Sequence, residues 1–295
     1  MPAVSVIIPT YNRKALLLEA LTSVFAQTYR DYEVIVVDDE STDGTREALM
    51  PFGERIRYIS PAPSAAIARN RGIHQSRAPY VAFLDSDDLW EPDFLAVTMR
   101  YLKENPHVAL VCTACRMIPG GRKEPRIRKR VVAGNLFPFL LRQSFINTSA
   151  VVAKRECLEK VGCFDENLPT AEDYDMWLRL TSAFPVAFLN VALARRRKHA
   201  ESLSGNRVLL KESALRAVES LYHRTKIPRS VYQRLRSDLY ISMGRAYMKL
   251  GDHQRGKACF RQAVALTPYR LRPRRYLWFA FLTGRGDESE SVRTE

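Results

Sequence analysis

Residues 80–88 read Tyr80-Val81-Ala82-Phe83-Leu84-Asp85-Ser86-Asp87-Asp88. A short apolar run that stops at an acidic cluster reads as a strand buried on both faces, its carboxyl end opening onto a polar rim. The same pattern recurs upstream. The run Val4 to Ile8 ends in Pro9-Thr10-Tyr11-Asn12, and Tyr32 to Val37 ends in Asp38-Asp39-Glu40-Ser41. Residues 56–59 and 108–115 read as further strands, while residues 13–26, 42–50, 65–75 and 93–103 read as the helices between them. Strands alternating with helices predict an α/β fold, a Rossmann-like, mostly parallel sheet flanked by helices. Ligands of such sheets bind beyond the carboxyl ends of the strands, and three of those ends deliver an aromatic, two acidic clusters and hydroxyls. No GxGxxG follows the first strand and no GxxxxGK[ST] loop occurs, which argues against a dinucleotide site and a P-loop.

The chain has 295 residues, 46% of them hydrophobic and 26% charged, as expected of one large folded domain with a smaller appendage. Its net charge of +14 points to anionic partners without choosing among them. Five cysteines are too few for a disulfide scaffold, and Cys112 and Cys115 read as small hydrophobes in a strand. The opening residues enter a strand at once, without the features of a secretory signal, and the longest apolar run near the end, residues 276–282, is far short of a membrane span. A cytoplasmic location, peripheral at most on the inner face of a membrane, is therefore expected.

From about residue 206 the pattern is all-helical. Gly244, Tyr247, Gly251-Asp252, Phe260, Ala263 and Pro268 resemble one tetratricopeptide repeat over about 237–268, with Gly256 where that repeat usually has Ala. One repeat cannot bury its faces alone, so helices on either side are expected to pack on it. The expected division is 1–205, 206–283 and a polar tail at 284–295.

Asp85-x-Asp87 is the sharpest local signal. Carboxylates at a strand end suit a hard divalent cation, Mn2+ or Mg2+, which neutralises the charge growing on a diphosphate leaving group. Taken alone, the triplet also fits a surface turn. The segments VSVIIPTYNR (4–13), YEVIVVDDESTDGT (32–45), ARNRGI (68–73), YVAFLDSDDLWEPDFL (80–95) and GCFDENLPTAEDYDMWLRL (162–180) occur in the order of family 2 glycosyltransferases. The chain thus resembles that family, with its GT-A fold, over about residues 1–205.

The resemblance implies roles for particular residues. Pro9, Thr10 and Tyr11 would line a nucleobase pocket, with Asp39 hydrogen-bonding the base, often uracil. Asp85 and Ser86 would serve the ribose, and Asp87 the metal. Glu172-Asp173 matches an acidic pair whose Asp is the general base of inverting members. Arg69 and Asn70 are expected at the nucleotide, Arg197 and His199 at the diphosphate in a closing loop, and Glu172 and Trp90 beside the acceptor or behind the catalytic group. Residue by residue, duller readings stand: Tyr11 as a helix entry, Asp38 as a structural neighbour of Asp39, Glu172 and Asp173 as charges favourable to a helix N-terminus. The basic loop Arg122 to Arg130 lies where acceptors usually bind in this fold.

The resulting expectation is a metal-dependent inverting glycosyltransferase. It would use a nucleotide-diphosphate sugar, UDP-linked, and a glycan or lipid-linked hydroxyl acceptor in polysaccharide or glycolipid synthesis of the cell envelope. The alternative is a degenerate core that binds a protein through its helical repeat. A protein partner or a homo-oligomer through the C-terminal helices is compatible with either. Nucleic acid is not an expected partner, since no recognised motif or basic–aromatic stripe is present.

Overall fold

The computed structural model describes residues 1–120, 123–124, 131–141, 144–197, 207–225 and 227–283. The strands are β1 (Val4–Thr10), β2 (Tyr32–Asp38), β3 (Arg57–Ile59), β4 (Tyr80–Phe83), β5 (Leu89–Trp90), β6 (Leu110–Ile118), β7 (Lys123–Glu124), β8 (Val131–Gly134), β9 (Val151–Lys154) and β10 (Val186–Arg197). The helices are α1 (Lys14–Phe25), α2 (Thr45–Leu49), α3 (Ala65–Gln75), α4 (Phe94–Glu104), α5 (Phe137–Leu140), α6 (Arg155–Lys160), α7 (Glu172–Ala183), α8 (Arg207–Arg224), α9 (Arg229–Lys249), α10 (His253–Leu266) and α11 (Leu271–Thr283).

The strands form one sheet in the order β3-β2-β1-β4-β9-β6-β10-β5, with β7 on β6 and β8 on β10. Its longest ladders, β1 with β2 and β6 with β10, are parallel. β9 breaks the parallel run by lying antiparallel between β4 and β6, and the short strands β5 and β8 on β10 and β7 on β6 are antiparallel as well. Every residue of β1 except Pro9 is buried, because parallel neighbours pair it on both edges and helices cover both faces. Val4, Val6 and Ile8 turn to the face where Leu17, Leu21 and Val24 of α1 pack. Ile7 turns the other way, against α3.

α3 runs as expected from residue 65 to 75, its first turn capped by the Ser64 hydroxyl, which accepts from the Ile67 amide. It approaches β1 so closely that a Cβ on Gly72 would stand 2.4 Å from Ile7 Cγ2. Glycine is what lets this helix reach the sheet, and the contact fixes the height of Arg69 and Asn70 above the strand ends. The five cysteines are free and buried; Cys112 and Cys115 belong to β6, where burial pushes the Cys112 thiol upward.

The chain divides into two compact units, one carrying the sheet and the other carrying α8 to α11. In the helical unit α9 and α10 form the repeat-like pair. A Cβ on Gly244 would stand 2.6 Å from the Phe260 ring, so glycine at the crossing admits the aromatic. Gly256 plays a similar part, since a Cβ there would meet Met248 Sδ at 2.7 Å. Tyr276 of α11 stacks on Phe260 with ring centroids 5.6 Å apart. The expected polar tail, 284–295, lies outside the described residues.

Because Ile7 is enclosed, Gly72→Ala should cost about 1–3 kcal/mol by overpacking. A denaturant midpoint equal to that of the parent protein would show that α3 can back away from the sheet.

Candidate active site

The loops that leave β1 and β2 begin level, since Thr10 pairs with Asp38, and they are tied together by their own polar groups. The Asn12 amide donates to Ser41 Oγ at 2.8 Å, the Thr42 amide to Asn12 Oδ1 at 2.8 Å, and the Lys14 amide to Asp43 Oδ2 at 2.8 Å. Asn12 and Glu40 take left-handed backbone conformations to make these turns. Asp38 is structural: buried, it accepts from Ser41 Oγ at 2.5 Å and from the Tyr58 hydroxyl at 2.7 Å. Asp39 stays partly exposed beside it, its carboxyl raised by burial and then by the negative charges of Asp38 and Glu40. Pro9 is half-buried, Tyr11 exposed and Thr10 buried; the Thr10 hydroxyl has no partner among the described residues.

After β4 the acidic cluster closes on itself. One carboxylate oxygen from each of Asp85, Asp87 and Asp88 lies within 4.8 Å of the others. An all-carboxylate donor set of this size fits Mg2+ or Mn2+. Asp88 was not singled out from the sequence, although it stands in the same quartet. It is buried and its carboxyl is pushed up to about 7, by burial first and then by the charge of Asp85. The Arg197 amide donates to Asp88 Oδ1 at 2.9 Å, and Arg13 Nη1 pairs with Asp87 at 2.8 Å. Ser86 is buried between them.

Arg69 joins this cluster to α7. Its Nη2 contacts Asp85 at 2.7 Å and its Nη1 contacts Glu172 at 2.7 Å, while the guanidinium lies 5.5 Å from the Phe164 ring centre. Arg69 is 5% exposed; burial works against its charge, and the carboxylates of Asp85 and Glu172 outweigh that cost and hold it protonated. Beneath it Phe83, the last residue of β4, packs edge-on to Phe164 at 5.4 Å, and Phe164 packs edge-on to Trp177 of α7 at 5.8 Å. The strand that carries Asp85 and the helix that carries Asp173 therefore share an aromatic footing. Asp173 accepts from the Tyr174 amide at 2.7 Å and from the Thr148 hydroxyl at 3.4 Å. Its carboxyl is raised to about 6 by burial and then by Glu172, with Arg69 opposing.

Three of the expected residues are held by neighbours within the fold. The Asn70 amide holds the 163–166 turn, with Nδ2 donating to Phe164 O at 2.9 Å and to Glu166 Oε1 at 2.8 Å and Oδ1 accepting from the Phe164 amide at 2.9 Å. Trp90 faces the core. Strand alternation turns it inward at 4% exposure, stacked on Phe94, with its indole N–H donating to Ser149 O at 2.6 Å. It acts from behind, because the Ser149 hydroxyl in turn accepts from the Asp85 amide at 3.2 Å. Residues 195–197 are strand rather than loop, paired with β6 up to Ile118, and Arg197 Nη2 is held by Glu19 at 2.7 Å. His199 and most of 122–130 lie outside the described residues. Arg13 lies within a quoted motif and was readable from it; Ser149 had no local signal.

The sequence matches the family described as Glycosyl transferase family 2 over residues 5–158 and a tetratricopeptide repeat over 237–270. The chain spans about a third of the length of an uncharacterized glycosyltransferase of Rickettsia felis, at 30% identity over 65% of its own residues. It is 32% identical to the putative teichuronic acid biosynthesis glycosyltransferase TuaG of Bacillus subtilis over 70% of this chain and 83% of that one. Among solved structures, S. aureus TarS 1–349 in complex with UDP-GlcNAc superposes with a TM-score of 0.70 at 18% identity, covering 90% of this chain and 82% of that one. The mannosyltransferase PcManGT of Pyrobaculum calidifontis, in complex with GDP-Man and Mn2+, gives 0.62 at 22% identity over 97% and 88%. These two likenesses speak for the fold, a GT-A architecture.

Removing Arg69 would leave the half-buried Asp85 and Glu172 without their shared cation. Arg69→Met should therefore destabilise the protein by about 1–3 kcal/mol, and adding Glu172→Gln should recover part of that loss. Strictly additive denaturation energies for the two changes would mean that the bridge carries no coupling.

Proposed function

This chain belongs to glycosyl transferase family 2, and on that footing we propose that it moves a sugar from a nucleotide-diphosphate donor, UDP-linked, to a hydroxyl of a glycan or lipid-linked acceptor. The observation that carries the reading is the double contact of Arg69, which brings the start of α7 and the acidic end of β4 to one guanidinium. Residues 85 and 172 are far apart in sequence, and a cleft that serves both a diphosphate and an acceptor needs them together. Residues 1–205 would form the catalytic part and 206–283 a helical appendage.

In this reading Tyr11 and Asp39 hold the nucleobase, the Asp39 carboxylate accepting the imide N–H of uracil, and the unpartnered Thr10 hydroxyl supplies a further polar contact. Asp85 and Ser86 face the ribose. Asp87, with Asp85 and Asp88, would hold the divalent cation, and when bound it offsets the charge developing on the departing diphosphate. Arg13 already neutralises part of the same cluster, and the Arg197 amide donates to Asp88. Asp173 removes the proton of the acceptor hydroxyl as that oxygen forms its bond to the anomeric carbon. The bond from that carbon to the diphosphate oxygen breaks on the opposite face, and the configuration inverts. A burial-raised carboxyl suits a base, because its conjugate acid is closer to neutrality than that of an ordinary Asp. The structure of TarS with UDP-GlcNAc and that of PcManGT with Mn2+ support the donor class and the metal. Kinship with TuaG supports envelope polysaccharide synthesis as the setting.

Asp173→Asn should retain donor binding while transfer falls roughly a hundred- to ten-thousand-fold, the usual worth of a positioned base. The base works ionised and its acid form is stabilised by burial, so kcat/KM should be level above a pH of about 6 and fall about tenfold per pH unit below it. Undiminished turnover by the Asn variant would remove Asp173 from this role. Asp87→Ala should weaken donor binding in the presence of Mn2+ and leave the weaker binding in chelator unchanged. Calorimetry that finds the same Mn2+-dependent gain in both proteins would count against Asp87 as a ligand.

A further inference from the structure

The positive charge of this protein is unevenly distributed. Residues 207–283 contain 17 Lys and Arg against 4 Asp and Glu, whereas residues 1–206 contain 27 against 24. Within the helical unit, α11 is two-sided. Pro273 and Ala280 are buried, and Tyr276, half-buried, stacks on Phe260, so one side is consumed by packing. The opposite side presents Leu271, Arg274, Arg275 and Trp278, spaced three, four and seven residues apart and therefore on one stripe of the helix. Leu271 is 73% exposed, Trp278 67%, and Tyr269 just ahead of the helix 72%. Arg270 and Arg272 are engaged with Asp238 at 3.0 and 3.4 Å, while Arg274 and Arg275 have no acidic partner among the described residues. Folding of the unit gains nothing from leaving a tryptophan and a leucine in water on the side where two guanidiniums also stand.

We propose that this face of α11 docks on an anionic lipid surface. A bilayer interface is the partner whose chemistry matches both parts of the stripe. The indole and leucine enter the headgroup boundary, where Trp is favoured, and the guanidiniums pair with lipid phosphates, backed by the positive field of the whole unit. A nucleic acid would answer the charge but leave Leu271 unsatisfied. This inference rests on the helical unit alone and stands or falls independently of the transfer reaction.

The test is co-sedimentation of the full chain with vesicles of phosphatidylglycerol and phosphatidylcholine in equal amounts, against pure phosphatidylcholine. Binding should favour the anionic vesicles and weaken with salt. Arg274→Gln with Arg275→Gln should weaken it about 25-fold, each basic side chain at such a surface contributing about fivefold. Trp90 and Trp177 are buried, so quenching by brominated lipid should report Trp278 and vanish in Trp278→Ser. Equal partition onto both vesicle types, or an unquenched Trp278 in the bound state, would overturn the proposal. So would a chain that ignores vesicles but forms an RNA complex or a dimer sensitive to the same substitutions.

Discussion

A buried arginine with two carboxylates 2.7 Å away organises the N-terminal unit. Arg69 could not be left at 5% exposure without anions, and Asp85 and Glu172 could not be brought so close without a cation between them. Each partner sits on a different element: the third helix, the end of the fourth strand, the start of the seventh helix. The bridge therefore does for the cleft what a covalent strut would do, and the aromatic contacts of Phe83, Phe164 and Trp177 beneath it set its level. Gly72, by letting α3 lie against Ile7, sets how near the guanidinium comes.

Around that bridge the charge balance is deliberately incomplete. Asp87 has Arg13 and Asp88 has the Arg197 amide, yet Asp88 and Asp173 are both held well above ordinary carboxylates. A site in that condition gains from any further cation, which links the strain of crowding carboxylates to the proposed handling of a diphosphate. The support extends outward through residues that touch no ligand in the proposed reaction. Trp90 holds Ser149, Ser149 holds the Asp85 amide, and Asn70 holds the turn that positions Phe164.

The helical unit follows a different logic. Its interior is assembled by glycine at helix crossings and by aromatic stacking, Phe260 on one side of Gly244 and Tyr276 on the other side of Phe260. Its exterior is basic enough that little acidic surface remains for self-complementarity, and the last helix adds an apolar stripe to that charge.

The strands at 4–8, 32–37, 56–59, 80–84 and 108–115 and the helices between them were readable because each is a local property: continuous apolar runs bury on two faces, helical spacing buries on one, and polar residues collect where strands end. The resemblance also marked Asp39, Asp85, Asp87 and Asp173 as the acidic residues to watch. What one dimension could not contain was contact between distant segments. That Asn70 would spend its amide on Phe164, that Trp90 would face the core, that Ser149 would support Asp85 and that residues 195–197 would be strand are all decided by neighbours more than 50 residues away. A side chain's type states what it can bond with. Only packing in three dimensions determines which bond it makes, because buried polar groups take whichever partner the surrounding elements bring within reach.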